Sequence, residues 1–589
     1  MRRTLAAAAL VALAVAACSG PVDPNAGTGA GDDEAEYGGT LRIASLASDI
    51  DALDPVVGYT TDSWQILRAI TRQLVTFPGS TEDLGSDTEL VGDLAESWDV
   101  SDDGRTHTFH LRDGIRYTGA TDREIVAADF VYAIKRFCDP NKQVAAINYF
   151  NLIFSGFTDY CAEFAATVPP GDPLASKAFI DGHEIAGVSA PDDKTLVLTS
   201  DSKNYDFLSI LAMNFVSPLP EEVVGEYVGD SLELRRNYPS SGPYAIESYE
   251  PGQELVLRKD PDYDHDGDPV RRAYADEIVV DFTTNTEDAV VQKIQSGEAD
   301  LSLYLSSPPI ATIQQYTAQN SDDIHDSDGA GARFITLNTQ PSATSPASEA
   351  LRTLEVRQAL AYAVNKAHLV QVFGGELAAR PLGQILISTI LGHEPFDPYE
   401  TPGHEGDPER ARQLLADAGY PDGIEFRAIY RATALDEAIA TTLQEDLAAA
   451  GIRLELIKVG QNEYWGYAQN PQNPWDLNLS AGFAPDWQGD STRMLLGGWL
   501  NSDASACGPG NVQAICYDNP ELNRLGAEAF VSDDPAPLWA EADRLVSADL
   551  PWIPLVELRK IVITSADLRH FVWANVPVNA DITNVSVAP

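Results

Sequence analysis

The chain has 589 residues, 44% hydrophobic and 22% charged, more than one hydrophobic core commonly supports, so two or three core-bearing units are expected. Its 89 acidic against 39 basic residues give a net charge of −50. A chain of that sign is repelled by phosphate backbones, which excludes a nucleic-acid or general polyanion role and reads as a solvated exterior that resists aggregation.

Arg2 and Arg3 precede an apolar run, Leu5 to Ala17, that serves export and is too short for a permanent membrane span. It ends in Val15-Ala16-Ala17-Cys18, which resembles the bacterial lipobox. That resemblance implies a lipoprotein signal peptide over 1–17, cleavage before Cys18 and acylation of the new terminal cysteine, anchoring the chain to the outer face of the cytoplasmic membrane. Residues 18–36, rich in Gly, Ala, Asp and Pro, form a flexible tether. With one cysteine carrying lipid, four remain and could pair in three ways; sequence proximity favours Cys138–Cys161 and Cys507–Cys516. An oxidising compartment favours disulfides over metal sites there.

Past the tether, Gly38 to Ala44 alternates as a strand, and Leu53-Asp54-Pro55 leads to a helix expected over Ile66 to Leu74. After the turn Asp102-Asp103-Gly104, Thr106 to Arg112 is a strand, with His107 and His110 on opposite faces. Ala127 to Arg136 is a helix carrying Phe130 and Ile134, with Phe137 beyond it at helical spacing. Lys194 to Leu198 and Glu254 to Lys259 return the chain to sheet. Asp262, Asp264, Asp266 and Gly267 match the first half of a calcium loop, but Ala273 stands at position twelve instead of a bidentate Glu. A polar surface turn is the plainer reading, a structural calcium the other, and no further metal site is expected.

From about residue 300 the pattern becomes α/β. Val356, Leu360 and Val364 share one helical stripe; Asp407-Pro408 caps a helix that Gly419 closes. Leu435, Ile439, Leu443 and Leu447 form the stripe of another helix, stopped at Gly451 and followed by the strand Ile452 to Leu456. Helix, glycine and strand in that order predict a second sheet. The next stretch, Trp475 to Trp499, gathers Trp475, Trp487, Trp499 and Phe483 around Asp486. A strand, Leu477 to Gly482, delivers Phe483, Asp486 and Trp487 into a turn broken by Pro and Gly. Aromatic walls with one fixed carboxylate suit a cation joined to an apolar or peptidic body. Pro551 to Leu555 opens a final β-rich segment.

These residues resemble family 5 of the extracytoplasmic solute-binding proteins, the oligopeptide and dipeptide receptors of ABC transporters. The resemblance rests on Leu94-Ala95-Glu96-Ser97-Trp98, Thr108 to Arg112, Gly114 and Ala127 to Tyr132, and covers nearly everything after residue 37. In that family an Asp after a Gly-aromatic pair takes the peptide's terminal ammonium. Asp486 matches it, Gly482-Phe483 match the pair, and Tyr464-Trp465 after Glu463 resemble an upstream Glu-Trp whose ring flanks the ligand. Two departures stand out: Gly489-Asp490 replaces the usual Asp-Pro, and Phe483 is smaller than the usual Trp.

The resemblance implies an α/β fold of the periplasmic-binding-protein type (class II, large cluster C), two lobes with an extra domain on the first and the ligand in the interlobe cleft. The expected division is 37–75 with 188–332 and 545–589 for lobe I, 76–187 for the extra domain and 333–544 for lobe II. The implied function is a monomeric substrate-binding lipoprotein that delivers oligo- or dipeptides to an ABC permease driven by separate ATPase subunits, without a cofactor. The same fold with an oligosaccharide, a nickel chelate or another cationic solute is the alternative. A secreted hydrolase is remote, since Gly-x-Ser-x-Gly and His-Glu-x-x-His are both absent, as is a phosphate-binding Gly-x4-Gly-Lys loop.

Overall fold

Leu41, Ile43 and Ala44 are buried in β1 (Thr40–Ala44) while Arg42 between them is exposed, the alternation a strand with one core face requires. The computed structural model describes residues 35–588 apart from 85, 87, 120, 143, 145–146, 152, 228, 264–266, 304–307, 341–342, 344, 461–462, 471–472, 488–491, 501–515 and 577. Cys18, Asp264, Asp266, Gly489, Asp490 and Cys507 therefore lie outside the described residues. Among the described residues no helix is long and apolar enough to cross a membrane.

After β1, Thr60 caps α1 (Thr61–Ile70) by accepting from the Ser63 amide. The helix starts earlier than expected and stops before Leu74, because Thr71 turns extended and its hydroxyl takes the Leu67 carbonyl at 2.7 Å. β2 (Ala95–Val100) and β3 (Thr106–Leu111) follow, then α2 (Ala127–Arg136) and α3 (Phe157–Thr167), whose Cys161 is bonded to Cys138 with Cα atoms 4.7 Å apart. Cys516 is likewise disulfide-bonded. β4 (Val188–Asp192) and β5 (Thr195–Thr199) complete an antiparallel sheet of order β2-β3-β5-β4. This sheet thus extends past residue 187, where the extra domain was expected to end. His107 is buried and His110 exposed, as period two demands.

α4 (Phe207–Ala212) leads to β6 (Tyr244–Glu250), β7 (Glu254–Lys259), β8 (Glu277–Asp281) and β9 (Leu301–Ser302), which join β1 in the order β9-β1-β8-β7-β6. One continuous core lies under both sheets. The chain then crosses on β10 (Ile324–Leu337), a strand long enough to reach a third sheet. There α5 (Leu354–Ala363) buries Val356, Ala359 and Leu360, with Val364 buried at its end. β11 (Ala379–Pro381), β12 (Ile424–Arg431), α6 (Ala434–Ala449), β13 (Ile452–Val459), α7 (Tyr464–Gln469) and β14 (Leu477–Phe483) follow. α6 buries Ile439, Leu443 and Leu447, but Leu435, expected on the same stripe, sits in the first turn and is 37% exposed.

α8 (Pro520–Val531) and α9 (Ala536–Asp549) pack on each other, and β15 (Trp552–Ile563) completes the sheet of order β11-β15-β10-β14-β12-β13. So α9 and the start of β15 belong with this sheet, although 545–589 was expected to return wholly to the first lobe. The β10/β15 ribbon ties the two halves: Ile335 and Ile553 sit in the third sheet's core, whereas Ile563 packs with Ala44 of β1. Pairing along the ribbon slips between Ser327 and Gly331, a bulge at the crossing.

Candidate functional site

β12 and β13 run parallel, and β14 joins β12 in parallel, so their carboxyl ends share one edge. Open parallel sheets bind ligands beyond that edge. Arg431 is the last residue of β12, and Gly482 and Phe483 end β14. Gly482 faces Arg333 of β10 in register, and a Cβ there would stand 2.8 Å from the Ala332 carbonyl, so glycine is what permits the close strand approach. Phe483 is buried and meets Trp499 edge to face at 6.1 Å.

The turn after β14 carries Asp486 to the other half of the molecule. Tyr59, just before α1, donates its hydroxyl to Asp486 Oδ2 at 2.9 Å, and Tyr149 donates to the same oxygen. Burial pushes the Asp486 carboxyl above the ordinary carboxylate range, against the two phenols that hold it down. Burial and the Asp486 charge in turn push the Tyr59 phenol up. Tyr149 sits in the segment between Cys138 and Cys161, which that disulfide closes. Tyr59 follows a loop fixed by Asp54, whose carboxylate is 2.6 Å from the buried Arg136 and 3.5 Å from Lys142. Burial opposes that charge, but the two cations outweigh it and hold Asp54 at about 2.

The aromatic residues separate into two groups. Trp487, expected as ligand wall, is 1% exposed and inserted into the first half's core, its ring 5.8 Å from Tyr149. Trp475 is buried beneath β12 with Tyr464. Tyr464 is a floor residue that donates its hydroxyl to Asn478, and burial raises its phenol to about 12. Trp465 is 45% exposed and open to a ligand. Apolar side chains at strand ends go to whichever core is nearer, which residue type alone does not reveal.

Sequence reasoning missed Tyr59, Tyr149 and the arginines. The Arg431 guanidinium lies 4.9 Å from the Tyr464 ring centroid and 5.7 Å from that of Trp465, stacked as a planar cation on aromatic faces. Its Nε is buried and has no hydrogen-bond partner among the described residues. Arg333 donates from Nη1 to the Ser480 carbonyl at 3.2 Å. Burial lowers its pKa, as does the neighbouring Arg431, while Asp436 opposes the shift. A cation at the end of a strand that also carries aromatic neighbours was the available signal for Arg431; none marked the tyrosines. Among the described residues no cluster of His, Cys, Asp and Glu could hold a metal ion.

Comparison with known proteins places these features in context. Residues 89–504 match the model for bacterial extracellular solute-binding proteins, family 5 Middle. Heme-binding protein A of Haemophilus influenzae is 26% identical over 94% of this chain and 92% of its own length. Di/tripeptide-binding protein 3 of Pseudomonas aeruginosa is 26% identical, covering 80% of this chain and 81% of its own. Among solved structures, clavulanic acid biosynthesis oligopeptide binding protein 2 superposes with a TM-score of 0.79 at 24% identity, over 94% of this chain and 96% of that one.

Proposed function

The chain belongs to family 5 of the bacterial extracellular solute-binding proteins of ABC importers, and we propose that it captures short peptides and hands them to a membrane permease. The observation that carries the reading is Asp486, a buried carboxylate presented at the junction of the two halves by Tyr59 and Tyr149. An ammonium there gains a charge-assisted contact in a site poor in water, where attraction is far less screened than in bulk. The peptide's carboxylate meets Arg431, whose unpartnered Nε faces the other demand of a zwitterion. Trp465 offers its exposed ring to a side chain, and Phe483 and Gly482 set the depth between. A peptide backbone paired to strand edges would make capture tolerant of sequence. Heme-binding protein A among the relatives makes heme the competing ligand to test.

The same proposal covers delivery: the chain is exported, cleaved before Cys18, anchored there by lipid and active as a monomer without chemistry of its own. Cys18→Ser protein is expected in the soluble fraction of the producing cell; retention with membranes would overturn the anchor.

The ligand test denatures and refolds the protein to strip bound solute, then measures melting shifts. A ligand at 100 times its Kd stabilises by about 2.7 kcal/mol. Free dipeptides and tripeptides are expected to shift the melt, N-acetylated ones to lose most of the shift, and Asp486→Ala to mimic that loss by weakening the binding free energy by about 2–5 kcal/mol. A shift with hemin and none with any peptide would reject the reading.

A further inference from the structure

The two arginines at the carboxyl edge of the third sheet do not balance. Arg333 and Arg431 are joined through one residue: the Arg333 guanidinium donates to the Ser480 carbonyl, and the Arg431 amide donates to the Ser480 hydroxyl at 2.9 Å. The carboxylate that faces them is Asp436, 3.5 Å from Arg333 Nη1. It is already engaged by the Thr433 hydroxyl at 2.8 Å, as part of the cap of α6. Arg333 packs its stem on Gly482 of β14, its Cδ 3.2 Å from where a Cβ there would stand, and its side chain keeps 18% exposure. Among the described residues, two guanidiniums against one carboxylate leave an excess positive charge in a partly buried corner, and the amino end of α6 adds its partial positive charge. A fold that needed Arg333 only as a strand residue could use an aliphatic one there without desolvating a second cation.

Resting on the peptide reading above, we propose that Arg333 and Arg431 together select ligands whose far end carries two negative charges, of which a peptide with an acidic C-terminal residue is the simplest form. Arg431 takes the main-chain carboxylate, and Arg333, with Asp436 as its counterweight, takes the side-chain carboxylate. Planar guanidiniums suit this task because each can bind a carboxylate through two parallel hydrogen bonds.

The test compares near-isosteric pairs on refolded, ligand-free protein by titration calorimetry: Ala-Glu against Ala-Gln, and Ala-Ala-Glu against Ala-Ala-Gln. The acidic member of at least one pair is expected to bind about tenfold tighter at low salt, with the gap narrowing as salt rises. Arg333→Gln should erase the gap between the acidic and amide peptides. Equal binding of the acidic and amide peptides by the parent protein overturns the inference and leaves peptide capture standing; that comparison needs no variant, so it decides even if Arg333→Gln misfolds. A variant that weakens both peptides equally assigns Arg333 a structural role and also overturns it. Absence of binding by all four peptides overturns both this inference and the peptide reading.

Discussion

At the scale of single residues, the decisive fact is that Asp486 is held by neutral phenols at a junction between two cores. Burial raises its carboxyl above the ordinary carboxylate range, so protonation of this group is easier in the ligand-free fold than in the unfolded chain. The sign follows: the group's contribution to ligand-free stability is complete below the unfolded carboxylate pKa and is lost as pH rises through the raised folded value. Binding of an ammonium runs the other way, because it needs the carboxylate. Peptide affinity measured calorimetrically between pH 4 and 7 is therefore expected to rise with pH, and an affinity flat over that range would remove Asp486 from the contact. Lys560 of β15 carries the opposite problem. Burial alone lowers its pKa from 10.5 to about 8. For a base with a depressed folded pKa, the contribution is complete above the unfolded value and lost as pH falls through about 8. Lys560→Met should stabilise the protein at pH 7 by about 3 kcal/mol, and by much less at pH 10. Denaturant midpoints that do not differ at pH 7 would contradict this. Asp486 was legible from sequence because an acid after a Gly-aromatic pair on a strand end is a local pattern. Tyr59 and Tyr149 were not, since their meaning arises only from a contact across hundreds of residues.

At the scale of elements, cap chemistry made several boundaries readable: Asp407 does accept from the Arg410 amide, and Gly419 follows that helix with a φ of 96°. Where prediction slipped, a local competitor won. Thr71 ended α1 early by taking a helix carbonyl, and in the first turn of α6 it is Asp436 that is buried while Leu435 beside it is left exposed. In the proposed binding site, the segment from Cys138 to Cys161 brings Tyr149 to Asp486. The bonded cysteines are 23 residues apart, and closing a loop of that length stabilises by about 3 kcal/mol in the chain-entropy picture. Replacing both cysteines by serine should lower stability by about that amount and, by loosening Tyr149, weaken peptide binding as well. Isothermal titration of the folded double variant separates the effects: unchanged affinity would mean that Tyr149 is placed without the disulfide.

At the scale of the whole molecule, the two halves meet at a second place besides Asp486. Arg493, at the start of the π-helical segment Arg493–Trp499, is buried against the residues that precede α4. Its guanidinium donates to Asp206 Oδ1 at 2.6 Å and to Asn204 Oδ1 at 3.2 Å, and lies 4.3 Å from the Phe530 ring centroid. Trp487 enters the first half's core, so Trp487 and Arg493 dock onto that half by an aromatic plug and a buried ion pair. No local pattern announced this, because an arginine and an aspartate 287 residues apart carry no mutual signal in the chain. On the proposed binding function, closure about a hinge would be opposed least where pairing in the β10/β15 ribbon slips between Ser327 and Gly331. If the lobes close in this way, the Arg493–Asp206 ion pair is expected to stabilise the closed form without touching the ligand. Arg493→Met leaves Asp206 buried and unpaired, a change that commonly costs about 3–5 kcal/mol, while Arg493→Met with Asp206→Asn removes both charges and should cost far less. The single variant is expected to bind peptide more weakly, mainly through faster dissociation, and to remain more expanded with ligand by small-angle scattering. The double variant should recover most of both. If the single variant instead keeps the parent's affinity and its compact liganded form, closure is governed at the peptide site alone.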